Sequence, residues 1–203
     1  MGGMKNLPHV CRSAACWAIT AWTALALPAH ADDTALWATA RSEPQVVLVM
    51  RHTAIGPGNG TVFDASGQCQ GEVMLSPLGR EQAQAMGRAF REHGLPPERL
   101  TVVASSMCRM RDTAMLAFGK AELEPAFRET FSGGSGGLNT FMDAAEARIR
   151  RHSGPGPLVL MTHLPNIDAL TGEQIEYGEV LVTRADDSAG LTVIGRLRLP
   201  VPR

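Results

Sequence analysis

The chain has 203 residues, with 19 lysines and arginines against 20 aspartates and glutamates and a formal charge of −1 at neutral pH. That balance provides no general basic face for nucleic acid. Four cysteines without a CxxC pair, and no histidine pair at helical spacing, give no basis for a structural zinc site, and the sequence implies no cofactor.

Lys5 and Arg12 flank the start of the chain, an apolar run extends from Ala14 to Leu27, and Pro28-Ala29-His30-Ala31 is a small-x-small pattern ahead of Asp32-Asp33. Together these predict a secretory signal peptide over 1–31. The run is shorter than the ~20 residues a spanning helix needs, so no stable membrane insertion is expected after cleavage. Cys16 precedes most of the run, which argues against a lipoprotein anchor. Cleavage leaves 172 residues, enough for one domain with a sizeable core, and the expected location is secreted, in the periplasm. With Lys5 and Arg12 gone, 17 cations face 20 anions, a formal charge of −3. Of the cysteines only Cys69 and Cys108 remain, and two cysteines in an exported chain invite one disulfide.

Residues 32–44 are polar and mixed, and read as a tether ahead of a domain over 45–203. Val46-Val47-Leu48-Val49-Met50 predicts a buried strand that runs straight into Arg51-His52. A glycine-rich loop at 56–60 continues as an irregular stretch to about residue 75. Ser76-Pro77 reads as an N-cap with proline at the first helical position, and Leu78, Gln82, Met86, Ala89 and Phe90 recur at helical spacing until Gly94. After a turn at Pro96-Pro97, Leu100 to Ala104 predicts a short buried strand, and Ser105 or Ser106 caps a helix that ends at Phe118-Gly119. A short strand is expected near 124–129, a flexible loop at Gly133 to Gly137, and a helix over about 139–151. Leu158 to Thr162 is a third buried strand, followed by a short helix near 165–171. Val180 to Thr183 and Leu191 to Leu199 read as two final strands joined by a turn at Asp186 to Gly190. Buried strands alternating with helices predict an α/β three-layer sandwich, a mostly parallel central sheet with helices on both faces.

In such a sheet ligands bind beyond the carboxyl ends of the strands. One strand ends in Arg51-His52, the next feeds Ser105-Ser106-Met107-Cys108-Arg109 in the first turn of a helix, and a third ends in Thr162-His163. If these strands are parallel neighbours, two arginines and two histidines converge, and they would repel one another unless an anion sat among them. Two guanidinium forks with two imidazoles fit a phosphoryl group, and the helix N-terminus at Arg109 is expected to add amide donors.

"LVMRHT", "SSMCRMRDTA", "FRETFSGG" and "LVLMTHLPNI" occur in an order and spacing that resemble the histidine phosphatase superfamily, the phosphoglycerate mutase-like proteins, over most of residues 45–199. The resemblance implies a metal-independent phosphomonoester hydrolase acting on a small phosphorylated substrate. His52 resembles the nucleophile that becomes phosphohistidine, Arg51 and Arg109 the phosphate-binding arginines, and His163 the second histidine of the pocket. Glu129 resembles the acid that protonates the leaving oxygen. One branch has an aspartate directly after the second histidine for that task, and Leu164 stands there, which favours Glu129. The residue after the nucleophile is usually glycine. Here it is Thr53, which implies a side chain near the phosphate.

Other readings of the same residues are a noncatalytic anion-binding protein on this pocket, and a serine hydrolase in which Gly133 to Gly137 supplies a GxSxG motif with Ser135, Asp143 and His163 as triad. Glu179, at a strand start, reads as a solvated edge residue and as an alternative acid to Glu129. His93 and His152, near helix C-termini, read as structural, and Arg111 and Asp112 as surface residues. A cysteine phosphatase needs an arginine six residues after its cysteine, and Leu75 and Ala114 occupy those positions.

Overall fold

The computed structural model of the protein describes residues 33–129, 137–187 and 190–203. The signal peptide expected over 1–31 and the glycine loop up to residue 136, with Ser135, lie outside them.

Five successive apolar residues form β1 (Val46–Met50), buried on both faces. It pairs in parallel with β4 (Leu158–Met161), which pairs in parallel with β2 (Thr101–Ser105). The short β3 (Glu122–Glu124) extends this parallel set beside β2. On its other side β1 pairs antiparallel with β5 (Glu179–Ala185), itself antiparallel to the edge strand β6 (Leu191–Arg198). The sheet order is β3-β2-β4-β1-β5-β6. The mostly parallel α/β sheet read from the sequence is therefore the fold.

Pleating sends Leu48 and Met50 to one face and Val47 and Val49 to the other. The first face is covered by α1 (Asp33–Ser42), α2 (Pro77–Glu92) and α3 (Cys108–Phe118), the second by α4 (Gly137–Arg151) and α5 (Leu164–Thr171). Ser76 caps α2 as its sequence predicts, its Oγ accepting from Gly79 N at 3.0 Å with Pro77 at the first helical position. Gly87 lets α2 cross α3 closely: a Cβ there would lie 2.1 Å from the Ala117 carbonyl oxygen. Among the described residues no helix is long and apolar enough to cross a membrane.

Three local expectations are corrected. The segment read as a tether is helix α1, with Leu36, Trp37 and Ala40 buried. Trp37 stands edge-on to Phe90 at 5.2 Å and stacks on His93 at 4.4 Å, so its few apolar residues, at helical spacing, outweigh a polar composition. Neither Ser105 nor Ser106 caps α3, whose N-cap is Met107; Ser105 closes β2 and serves the site described below. Leu78 lies on the exposed side of α2 instead of its core face. The disulfide is formed between Cys69 and Cys108.

Replacing the buried Trp37 tests whether α1 belongs to the domain. Trp37→Ala should cost about 3–5 kcal/mol, read as a fall in the urea midpoint, whereas a detached tether would leave that midpoint unchanged.

Candidate active site

Parallel pairing brings the carboxyl ends of three neighbouring strands to one edge. Thr162 N donates to Met50 O at 3.0 Å, so β4 and β1 end side by side. The His52 and His163 ring centroids are 5.8 Å apart. Arg109, although charged, is 2% exposed, and its Nη2 donates to Glu129 Oε2 at 3.1 Å and to His163 Nδ1 at 3.2 Å. Thus Arg51, His52, Arg109, His163 and Glu129, far apart in sequence, gather at one place.

The hydrogen bonds assign both imidazole tautomers. His52 Nδ1 lies 2.8 Å from the carbonyl oxygen of Thr53, which can only accept, so Nδ1 carries the proton and the Nε2 lone pair is free. His163 Nδ1 accepts from a guanidinium, so its Nε2–H donates to Ser105 Oγ at 3.0 Å. Burial is the main reason the His52 pKa falls to about 3; the Thr53 bond opposes it, and Arg51 and Arg109 lower it further. Burial, then Arg109, His52 and Arg51, hold His163 well below the usual histidine range. Burial also lowers the Arg109 pKa, against the opposing charges of Glu129 and Glu72, yet a guanidinium remains protonated throughout.

Arg51 Nη1 donates to Ile175 O at 3.1 Å, and its guanidinium lies 4.3 Å from the ring centre of Tyr177, which is also 5.8 Å from the His52 ring. Buried Arg51 Nε, Arg109 Nε and Arg109 Nη1 have no hydrogen-bond partner among the described residues. Leaving such donors unpaired is costly, and an oxyanion would satisfy them. Glu129 is positioned through its backbone neighbours: Thr162 Oγ1 donates to Phe127 O at 2.9 Å, and Asn166 Nδ2 to Arg128 O at 3.0 Å.

Thr53 does not lie beside the anion seat as its place in the motif suggested. Its hydroxyl donates to Gly79 O at 2.7 Å and its N–H to Thr113 Oγ1 at 3.3 Å, turning the side chain into the junction of α2 and α3. The amide expected at the α3 N-terminus is also taken, since Cys108 N donates to Glu72 Oε2 at 2.7 Å. Glu179 is not a solvated edge residue. It is 8% exposed and accepts from Glu176 N, Arg196 and Arg198. Burial pushes its carboxyl up, but those three bonds outweigh burial and hold it below the usual range, so it is a fixed ionic anchor. Asp143 is exposed on α4 while both ring nitrogens of His163 have other partners, so these two do not pair as a serine-hydrolase triad would need, and Ser135 lies outside the described residues. His93 stacks on Trp37, His152 Nε2 lies 2.8 Å from Gly156 O, and Arg111 pairs with Asp112 at 3.3 Å. Tyr177, Glu72 and Ser105 as partner of His163 escaped the sequence reading. Tyr177 and Glu72 sit in no motif, and Ser105 opens the SSMCRMRDTA stretch, but only the fold places them at this edge.

A family model for the histidine phosphatase superfamily (branch 1) matches residues 40–172. Among solved structures, the protein histidine phosphatase SixA complexed with tungstate superposes with a TM-score of 0.54 at 16% identity, covering 75% of this chain and 96% of that one. The product of the open reading frame Rv3214 of Mycobacterium tuberculosis superposes with a TM-score of 0.52 at 18% identity, covering 74% and 97%. At such identities the likeness is one of fold. No curated protein matches the chain by sequence.

The buried neutral histidines make stability pH-dependent. Unfolded His52 binds a proton below about pH 6.5 and folded His52 only near pH 3. Between those values the unfolded state holds more protons, so stability falls as pH falls, by about 1.4 kcal/mol per unit from His52, with His163 adding in the same direction. Urea unfolding in phosphate-free buffer should give a steep loss of stability below pH 6.5, and His52→Asn should flatten it. An unchanged slope in that variant would contradict a buried neutral His52.

Proposed function

Because the chain belongs to the histidine phosphatase superfamily, we propose that it hydrolyses phosphomonoesters through a phosphohistidine on His52, without a metal ion. The observation that carries this reading is the state of His52: buried, neutral, with Nδ1 tied to Thr53 O and Nε2 free, among guanidinium groups with unpaired donors. A neutral imidazole held this way is a nucleophile beside a seat for its target.

The proposed reaction has two steps. Arg51 and Arg109 hold the phosphoryl oxygens, and His52 Nε2 attacks phosphorus in line as the ester P–O bond breaks. The electron pair of that bond goes to the leaving oxygen, which takes a proton relayed by Glu129 from the monoanionic ester, since the carboxylate paired with Arg109 carries none of its own. Water then attacks the phosphohistidine, Glu129 accepts its proton, the N–P bond breaks and inorganic phosphate departs. His163 supports the step by fixing Arg109 through Nδ1, and it reaches a phosphoryl oxygen with Nε2–H only by exchanging its bond to Ser105. Two guanidinium groups supply the positive charge that a metal provides in other phosphatases, and no group of three or more metal-ligating side chains occurs among the described residues.

The N-terminal pattern leads to the further proposal that residues 1–31 direct export and are removed, so that the substrate is met outside the cytoplasm. In that case the N-terminal sequence of the exported protein begins at Asp32.

Two substitutions separate nucleophile from acid. His52→Ala should abolish turnover of every phosphomonoester and the acid-labile phosphoenzyme, with the fold retained. Glu129→Gln should lower kcat/KM for an alkyl phosphate by roughly 100- to 10,000-fold, and for an activated aryl phosphate far less. Equal losses on both substrates would remove Glu129 as the acid. Phosphate binding without turnover in the unmodified protein would establish the anion-binding reading instead. Chelators should leave activity intact, and activity that disappears with a chelator and returns with a divalent cation would overturn the metal-free mechanism.

A further inference from the structure

One buried carboxylate takes no part in the proposed chemistry. Glu72 is 7% exposed, and its two oxygens bridge separate pieces of backbone: Oε2 accepts from Cys108 N at 2.7 Å and Oε1 from Asp64 N at 2.9 Å. Cys108 is the first residue of α3 and directly precedes Arg109. The same residue is bonded through sulfur to Cys69. The helix turn that presents Arg109 is therefore held twice by the loop over 55–75, once through its amide and once through a disulfide.

The loop's other anchors are the buried Val73 and Leu75 at its C-terminal end and the Arg128 guanidinium 4.1 Å from the Phe63 ring centre. None of residues 56–71 is buried, and Arg111 Nη1 to Gly67 O at 3.0 Å is a contact at the surface. Cys69 holds a φ of 66°, a left-handed conformation that residues with a Cβ rarely adopt. It is half-buried, whereas Cys108 is fully buried. An incoming thiolate thus meets Cys69 first, and the sulfur released is Cys108 at a helix N-terminus, where the dipole favours a thiolate.

We propose that the Cys69–Cys108 disulfide is a redox-sensitive clamp on the phosphate seat: oxidised, it sets Arg109 for anion binding; reduced by an external dithiol, it loosens residues 56–71 and weakens phosphate affinity. This rests on reading Arg109 as a phosphate ligand. In the first step a thiolate of the dithiol bonds to Cys69 Sγ, the protein S–S bond breaks, and its electron pair leaves on Cys108 Sγ, which takes up a proton. The second thiol of the reductant then attacks its own sulfur in the mixed disulfide and expels Cys69 as thiolate, which is protonated in turn. The protein gains two electrons and two protons, and the dithiol becomes a disulfide. Glu72, with Arg111 at the surface, then bridges loop and helix.

The experiment compares the oxidised protein, the same protein in dithiothreitol, and Cys69→Ser. Calorimetry gives the affinity for inorganic phosphate, p-nitrophenyl phosphate turnover gives KM and kcat, and circular dichroism reports the fold. The clamp predicts that the reduced and Cys69→Ser proteins stay folded and bind phosphate on the order of tenfold more weakly, the scale expected when a positioning contact is lost. It also predicts that KM rises more than kcat falls, that reoxidation restores the wild type, and that Cys69→Ser ignores the reductant. Equal phosphate affinity in the two redox states overturns the proposal, and so does unfolding on reduction, which would make the bond purely structural. An oxidised protein that binds phosphate but hydrolyses nothing removes the phosphatase reading while leaving the clamp to stand on affinity. An oxidised protein that does not bind phosphate removes both, and does so before any reductant is added.

Discussion

The constraint on which this structure turns is the burial of two kinds of base at one sheet edge, guanidinium groups that must stay charged and imidazoles that must stay neutral. Burial raises the cost of every charge there, and the two kinds respond differently. An imidazole relieves that cost by giving up its proton, as His52 and His163 do. A guanidinium keeps its proton, so Arg109 needs an anion, and Glu129 supplies it within the fold. Burial, the arginine charges and the Glu129 pair are thus three parts of one electrostatic arrangement. Taking away the carboxylate would leave a buried cation uncompensated.

The arrangement is held by backbone. Gly79 lets the first turn of α2 approach the strand-end loop so closely that a Cβ would lie 1.8 Å from Ala54 O. Thr53 uses that proximity to donate to Gly79 O, and Thr113 of α3 links the Thr53 amide to the carbonyl of Arg109 at 2.7 Å. A threonine after His52, where the family usually has glycine, is therefore accommodated by facing the helices, so its side chain stays off the proposed phosphate seat. On the other side of the pocket, Thr162 and Asn166 fix the carbonyls just before Glu129. His52 and Glu129, the proposed nucleophile and acid, are consequently tied to different helices of a single sheet.

Much of this was legible because strand ends are legible. Runs such as Val46 to Met50 and Leu158 to Met161 are apolar enough to be buried on both faces, and charged residues at their ends have one place to go. The order of the strands, and so the convergence of Arg51, His52, Arg109 and His163, required only that these runs be parallel neighbours. What stayed hidden depends on contacts between distant segments. Helix α1 looked polar because only three of its residues meet the core. Glu179 looked solvated because its partners, Arg196 and Arg198, lie on the next strand. Glu72 and Tyr177 lie in irregular segments where no period marks a buried face, so only the fold could assign them.

The division of donors on Arg109 shows how acid and substrate can share one cation. A guanidinium has five N–H groups in a fixed plane. Nη2 is engaged by Glu129 and His163, whereas Nε and Nη1 are without partners among the described residues. On the proposed reading a phosphoryl oxygen takes Nη1, which lies beside Nη2 at the end of the guanidinium, and Glu129 keeps its place on the same side chain. The carboxyl group then already lies beside the ester when phosphate is seated, with no need for a lid or a hinge to bring it there. Catalysis by proximity requires reacting groups to be in place before the barrier is crossed, and one buried arginine, donating in two directions, meets that requirement.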